Sequence, residues 1–527
     1  MLLPKAIQNW LSSSPISQDI TQSRLVYGDF QGQSTKILLS FLILFATYYV
    51  IPVLYDLLFS PLRKIPGPIW ARFTRWWEYR LVAKGDSNLQ YIHLHKRYGP
   101  VVRVGPNRYS ITRPEDVKVV YDIGSKFTKS DYYKPLLHPD PDEQSIFAIQ
   151  DNNFHKERRR KISALYSMST MVSYEEAVER MTSVCLRKLN QFSEEKRLVS
   201  IPHFMQCYAF DVIGEITFNQ NFGMMENEGD TTGLLSSIKE VNDSLAYLGV
   251  IPNLIPWVYG LRSALRKKQN AQRISENITT EIDKYREANK GPAKGKKYET
   301  FLTKVLNMEA EGRIGESNMR DVCGSNIGAG SDTTAVTMSA ALYYLFTNPE
   351  KLDNLRQEID VSAKEGRVSD PIRFQEAQSL PYLQAVIKET LRMHPAVGSM
   401  LPRKVPKGGM HIAGYYFPEG TEIGANPWAL HYSDDIYGPD PQSFRPERWL
   451  GSAKTSVMES MMFAFGAGSR TCIGKNISLL EMAKALPQII RKFDMVLEHP
   501  DRPMSTNCAW FVYTDFNGWF KVRASGE

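Results

Sequence analysis

The stretch FGAGSRTCIGK, Phe465 to Lys475, decides how the rest of the chain is read. Three glycines, an arginine, a cysteine and a closing lysine fall within these eleven residues. A phosphate loop needs four residues between its first glycine and the Gly-Lys pair, followed by Ser or Thr for magnesium. Here five residues, Ser469 to Ile473, separate Gly468 from Gly474, and Asn476 follows the lysine. The loop misses the phosphate pattern, and Cys472 needs an explanation of its own.

Working outward, the 527 residues are 43% hydrophobic and 23% charged, an ordinary globular composition with room for a large core. The net charge of +7 is too mild for nucleic-acid binding, and no zinc-finger spacing or aromatic-interleaved basic stripe occurs. The five cysteines form no CxxC or CxxCH, which disfavours zinc ribbons, thioredoxin-type redox and covalent c-type haem. Sparse, odd cysteines fit reduced thiols on the cytosolic side of a membrane.

From Ile37 to Tyr55 nineteen residues carry no charge, enough for a helix to cross the hydrocarbon core. Arg63, Lys64, Arg72, Arg75 and Arg80 follow it, whereas Lys5, Arg24 and Lys36 before it are diluted by Asp19 and Asp29. The positive-inside rule then places the bulk of the chain in the cytosol. The expected organisation is a luminal segment at 1–36, an anchor at 37–55, a proline-rich hinge at 56–68 and a catalytic domain at 69–527. VVRVGPNRYSIT reads as a short hairpin. From about Glu115 to His394 helical periodicity dominates, and KGPAKGKK (Lys290 to Lys297) reads as a solvated loop. Gly/Pro-rich short strands follow, then a final helix from near Gly474. The fold class is mainly α with a minor β part.

A lone cysteine in a glycine-rich loop is ordinarily an inert core residue. At a helix N-terminus, however, the dipole and free N–H groups stabilise a thiolate, and glycines admit a flat cofactor close to the backbone. Such a loop suits a thiolate holding haem iron. A second constellation, AGSDTT (Ala329 to Thr334), lies inside a long helical stretch. Its small residues leave room for a ligand against the helix, and the neighbouring acid and hydroxyl of Asp332 and Thr333 suit proton relay. Third, Glu389 and Arg392 in KETLR share one helix face, and FRPERW carries Arg448 downstream.

FGAGSRTCIG matches the pattern FxxGxRxCxG of the cytochrome P-450 superfamily, the haem-thiolate monooxygenases. AGSDTT resembles the family's central-helix motif, KETLR its ExxR helix and FRPERW its PERW segment, all in the family's order. GSRTCIGKNISLLEM and FDVIGEITF look like fungal members of specialised metabolism, near the pisatin-demethylase and benzoate-hydroxylase types. The resemblance implies haem b held through Cys472, with Phe465, Gly468, Arg470 and Gly474 around it. It also implies Arg403 and, on HKERRRK, His155 and Arg159 as carboxylate clamps. The family has a tryptophan where His155 stands, and the neighbouring Arg158 and Arg160 blur the register. Asp332 and Thr333 take the oxygen-activating roles, and Glu389, Arg392 and Arg448 a structural one. The implied activity is oxidation of a lipophilic small molecule with O2, using NADPH electrons through a cytochrome P-450 reductase, with cytochrome b5 as an optional donor. The implied location is the endoplasmic reticulum membrane. Alternatives are a haem-thiolate isomerase or dehydratase needing no reductase, and a non-catalytic haem sensor. The implied pocket draws on Ser130 to Ile149, Leu245 to Val258, Asn326, Ile327, Val397 to Leu401 and Trp510 to Val512.

Overall fold

The computed structural model describes residues 36–44, 46–138, 140–265, 270–288, 299–451 and 455–524. The chain divides into two compact units, Met1–Lys64 and Ile65–Glu527. Apart from Lys36, the expected luminal segment lies outside the described residues, as does KGPAKGKK.

In the first unit, residues 36–44 are helical, Ala46–Val50 form a wider π turn and Ile51–Phe59 return to α-helix. Helix therefore extends into the segment expected as a hinge, and the proline-broken stretch is 60–68. Phe45 of the expected anchor lies outside the described residues. Among the described residues no single helix is long and apolar enough to cross a membrane; one pair, Leu234–Val250 with Pro252–Ala264, passes together but is bent by 110°. Apolar side chains of this first unit, including Ile37, Phe41, Leu44, Ile51 and Phe59, are exposed.

The second unit is mostly helical. The helices that build the site are α1 (Asn152–Ile162), α2 (Glu175–Glu194), α3 (Ile201–Phe218), α4 (Leu234–Val250), α5 (Glu316–Thr347), α6 (Pro381–Met393) and α7 (Lys475–Lys492). Helix α2 shows how the pattern folds the chain. Glu175 and Glu176 open it against the dipole, while Ala177, Val178, Met181, Cys185, Leu189 and Phe192 recur every three or four residues and are buried. Helix α5, about 48 Å long at 1.5 Å per residue, has no such stripe over its second half. Residues Thr334 to Leu342 are all buried because neighbours cover every side; α3, α6 and α7 all pack against it.

The largest sheet of the minor β part has five strands, β1 (Val101–Gly105), β2 (Arg108–Ile111), β3 (Thr128–Lys129), β4 (Arg403–Lys404) and β5 (Glu422–Gly424), in the order β1-β2-β5-β4-β3. The hairpin β1–β2 is antiparallel, β2–β5 is parallel, and Lys129 lies directly opposite Arg403 across β3 and β4. A second hairpin, β6 (Ser505–Cys508) and β7 (Val512–Asp515), brings the C-terminal segment against α5.

Candidate active site

The glycine loop folds as its residues require. Gly466 and Gly468 have φ of +65° and +62°, the left-handed region open to glycine. A Cβ on Gly468 would lie 1.7 Å from the Tyr121 carbonyl oxygen, so the backbone approach also demands glycine. Gly474 differs: its φ is −82° and a Cβ there would meet open space. The Cys472 N–H donates to the Phe465 carbonyl at 2.8 Å, closing the loop, and α7 begins at Lys475. Cys472 is the one exposed cysteine among five free thiols. Its exposure is to an internal cavity. Burial accordingly raises the thiol's pKa, while the Gly474 and Lys475 N–H groups and Arg159 pull it back toward the thiolate.

That cavity, about 1460 Å³, has Phe465, Gly466, Cys472 and Gly474 on one wall and Gly328, Ala329, Gly330 and Thr333 of α5 on another. Ala329 is exposed to it. Tyr133, Phe147 and Trp510 supply an aromatic wall, with ring centroids 5.6 Å apart for Tyr133–Phe147 and 6.0 Å for Phe147–Trp510. Of the other expected lining, Asn326, Val397, Leu401 and Phe511 border the cavity. Ile327 and Val512 do not: Ile327 is fully buried on another face of α5, and Val512 packs with Ile92, Trp428 and Cys508.

His155, Arg159, Arg403 and Arg470 all reach this cavity, and so does Lys129, which sequence reasoning missed. The arginine run on α1 is resolved by the helix. Arg158 turns away to the Pro141 and Asp142 carbonyls, whereas Arg159 donates to the Thr471 carbonyl at 2.8 Å. Arg470 donates to the Ile149 carbonyl at 2.7 Å and to Asn152 Oδ1 at 2.9 Å. Arg403 donates to Tyr133 Oη at 3.2 Å and to the Pro402 carbonyl at 3.1 Å. Lys129, buried, has among the described residues the Phe147 carbonyl and the faces of Phe147 and Tyr133, 3.8 and 4.2 Å from its Nζ. None of these cations pairs with a carboxylate among the described residues. Burial and mutual repulsion pull Lys129 well below its ordinary pKa, Arg470 to about 10 and His155 to about 3. Like charges opposite one another in a sheet, as Lys129 and Arg403 are, destabilise unless an anion intervenes. A haem, with two carboxylates and an iron that takes a thiolate, fits this donor set.

Asp332 and Thr333 separate across α5. Thr333 borders the cavity and its hydroxyl donates to the Ala329 carbonyl at 2.9 Å. Asp332, 2% exposed, points away from it, accepting from Gln206 Nε2 at 2.7 Å and Tyr513 Oη at 2.8 Å. Burial raises its pKa and these two donors oppose the rise. Gln206 and Tyr513 lie 126 and 181 residues away, so no local pattern could announce them.

Behind the cysteine loop, Glu389 Oε1 accepts from Arg392 Nη2 (2.8 Å) and Arg448 Nε (2.9 Å), and Oε2 accepts from Arg392 Nε and Trp449 Nε1 (both 2.9 Å). Arg392 Nη1 donates to the His431 carbonyl at 2.9 Å. The His431 ring links this network to the loop. Its Nε2 accepts the Phe463 N–H at 2.8 Å, so Nδ1 carries the proton and donates to the Arg392 carbonyl at 2.8 Å. Burial and Arg392 hold that imidazole neutral down to about pH 3.

A cysteine-bearing glycine loop, a small-residue helix lining the same cavity and a cation cluster suited to two carboxylates are the parts a haem-thiolate enzyme needs. The chain belongs to the cytochrome P450 family, whose model matches residues 65–515, and it is a P450 monooxygenase. It is 43% identical over 481 residues to pisatin demethylase of Fusarium vanettenii, covering 91% of this chain and 94% of that one. It is 33% identical to the cytochrome P450 monooxygenase gsfF of Penicillium aethiopicum (88% and 94% covered) and 32% identical to cicH of Emericella nidulans (89% and 95%).

Proposed function

We propose that this monooxygenase inserts oxygen from O2 into a lipophilic aromatic or polycyclic small molecule of fungal secondary metabolism, with NADPH electrons delivered by a reductase. The observation that carries the reading is the single cavity in which Cys472 faces Ala329 and Thr333, walled by Phe147, Trp510 and Phe511. Small-molecule pockets are characteristically apolar with a few placed polar groups. The 43% identity to pisatin demethylase makes oxidative removal of a methyl group the first reaction to test.

Haem b would be held by Cys472 and by Arg159, Arg403, Arg470, Lys129 and His155, and would supply the binding and reductive cleavage of O2. The remaining roles belong to the chain. The N–H groups of Gly474 and Lys475 partly offset the burial that favours the neutral Cys472 thiol. Thr333 holds a hydroxyl proton at the cavity wall, and Asp332 stands behind it as the acid that replenishes that proton. The aromatic wall excludes water and orients the substrate. The exposed apolar helices of residues 36–44 and 51–59 support an anchor in the endoplasmic reticulum membrane, with the catalytic unit cytosolic. Cytochrome b5 is an optional second donor. Turnover of a panel of lipophilic methyl ethers with reductase, NADPH and 18O2 tests this. Label in the product or in the released aldehyde supports monooxygenation, and substrate conversion without NADPH consumption refutes it.

A further inference from the structure

One row of α5 carries a polar pair that neither holds a carboxylate nor handles oxygen. Asp321, Ser325, Ala329 and Thr333 recur every fourth residue, so they line up along the helix, and all four border the cavity. At 1.5 Å per residue, Ser325 lies about 6 Å and Asp321 about 12 Å along that row from Ala329. Ser331, Thr333, Thr337 and Ser339 spend their hydroxyl protons on the backbone carbonyl four residues back. Ser325 donates instead to Asp321 Oδ1 at 3.3 Å, while the Ile146 N–H donates to Oδ2 at 3.2 Å. Each oxygen receives a donor, the pattern of an ionised carboxylate, and each retains a lone pair. Among the described residues no cation lies within ion-pair distance of Asp321: Arg320 serves Glu143 and Glu316, and Arg158 serves the Pro141 and Asp142 carbonyls. Neighbouring Asn326 is committed, its Oδ1 accepting from Tyr166 Oη at 2.8 Å. The Ile146 bond also fixes the surroundings of the pair, because the next residue, Phe147, belongs to the aromatic wall. Toward the cavity, Asp321 and Ser325 offer lone pairs and no proton. Seven lysines and arginines line the cavity against three acids, so the field opposes a cationic ligand and a neutral hydroxyl is the donor that fits.

We propose that Asp321 and Ser325 are the specificity-determining acceptor of this monooxygenase, taking a hydrogen bond from a free hydroxyl on a ring-bearing substrate and so setting which carbon reaches Ala329 and Thr333. The inference rests on the monooxygenase reading above and deepens it. It makes the substrate a hydroxylated aromatic or polycyclic molecule. Its hydroxyl stands roughly 6–12 Å from the carbon oxidised, the span between the acceptor pair and Ala329. The hydroxyl keeps its proton, and only a hydrogen bond forms. Phe147 and Trp510 hold the ring faces, and the pair holds the far end. A site built to bond a hydroxyl rejects the analogue lacking it, because its own polar groups are then left unpaired.

The test uses the purified holoprotein with matched pairs of methoxyisoflavones and methoxynaphthalenes, each with and without a free hydroxyl on the ring remote from the ether. Substrate-induced spectral shifts give Kd, and turnover with reductase and NADPH gives the products. Wild type is expected to bind the hydroxylated member of at least one pair about tenfold or more tightly, as a hydrogen bond to a charged group allows. It is expected to oxidise that member at one position. Asp321→Asn and Ser325→Ala are each expected to lose that preference and to release a mixture of products, whereas Ser325→Thr, which keeps the hydroxyl, retains it. The readout is a ratio within one protein, so partial misfolding does not move it, and Ser325→Ala carries the test if Asp321→Asn fails to fold. No preference for the hydroxyl in wild type, including no binding of any hydroxylated member, overturns the proposal, as does a preference that survives in both variants. The carbon monoxide spectrum of the same samples separates the two readings. Loss of the thiolate-type band in wild type refutes the haem-thiolate assignment itself, whereas an intact band with binding indifferent to the hydroxyl refutes only the role of Asp321 and Ser325.

Discussion

Replacing Glu389 by alanine removes one carboxylate and leaves two guanidiniums in a dry core. Glu389 and Arg392 are 0% exposed and Arg448 is 5% exposed. Besides the four side-chain bonds described above, Glu389 Oε1 accepts the Arg445 backbone N–H at 3.0 Å. The arginines keep some carbonyl partners, Pro441 at 2.7 Å for Arg392 and Tyr437 at 2.7 Å for Arg448, and Arg448 keeps the half-exposed Asp440 carboxylate at 3.8 Å, but the buried charge between them is gone. Removing one partner of a buried ion pair costs about 3–5 kcal/mol, a large share of the roughly 5–15 kcal/mol by which a domain is stable. Glu389→Gln keeps the volume and one acceptor, and its expected cost is smaller, about 1.5–3 kcal/mol for the lost charged hydrogen bonds. Denaturation midpoints followed by tryptophan fluorescence, with haem content per chain measured on the same samples, report both effects. Haem content is expected to fall as well, because Arg392 reaches the cysteine loop through His431 and Phe463. A Glu389→Ala protein within about 1 kcal/mol of wild type, with undiminished haem, would refute the reasoning.

Gly468→Ala meets both a φ of +62° and the Tyr121 carbonyl, so it should cost more than the roughly 1–2 kcal/mol of a left-handed alanine, read as lower haem occupancy and a lower melting temperature. Asp332→Asn should lower product formation by about 10²-fold or more, as expected for loss of a general acid, while substrate-induced spectral shifts persist. Tyr513→Phe removes one of the two donors that hold Asp332 and should lower the rate by about tenfold, without changing substrate affinity. His394 and His431 are fully buried, with values near 4 and 3 set first by burial. Between about pH 6.5 and 4 the unfolded chain binds protons that the folded chain refuses. Stability should therefore fall with pH across that window, by up to about 1.4 kcal/mol per unit for each histidine, in urea titrations at stepped pH.

The parts of the site that are contiguous in sequence were legible there. Gly466, Gly468 and Cys472 lie within seven residues, and the turn they make follows from backbone sterics. Glu389 and Arg392 share a helix face by spacing alone. What stayed hidden was everything assembled by distant pairing. Lys129 sits in a polar stretch with no motif, and only the β3–β4 register sets it against Arg403. His431 earns its place through a ring hydrogen bond to Phe463, 32 residues on. Adjacent letters at 332 and 333 do not say which way each side chain goes: the roughly 100° turn between neighbouring helix positions sends Thr333 to the cavity and Asp332 to Tyr513. The arginine run at 158–160 could not choose its own register until α1 rotated Arg159 toward the cysteine loop. Local chemistry writes itself into adjacent letters, whereas clusters closed across the core do not.

The central claim is that Cys472 presents a thiolate to haem iron. The most direct measurement is the carbon monoxide difference spectrum of the reduced recombinant protein, beside Cys472→Ala. The account predicts the red-shifted Soret band of thiolate ligation in wild type and its disappearance in the variant. A wild-type band at the position of histidine-ligated haem, or an unchanged band in Cys472→Ala, would contradict it.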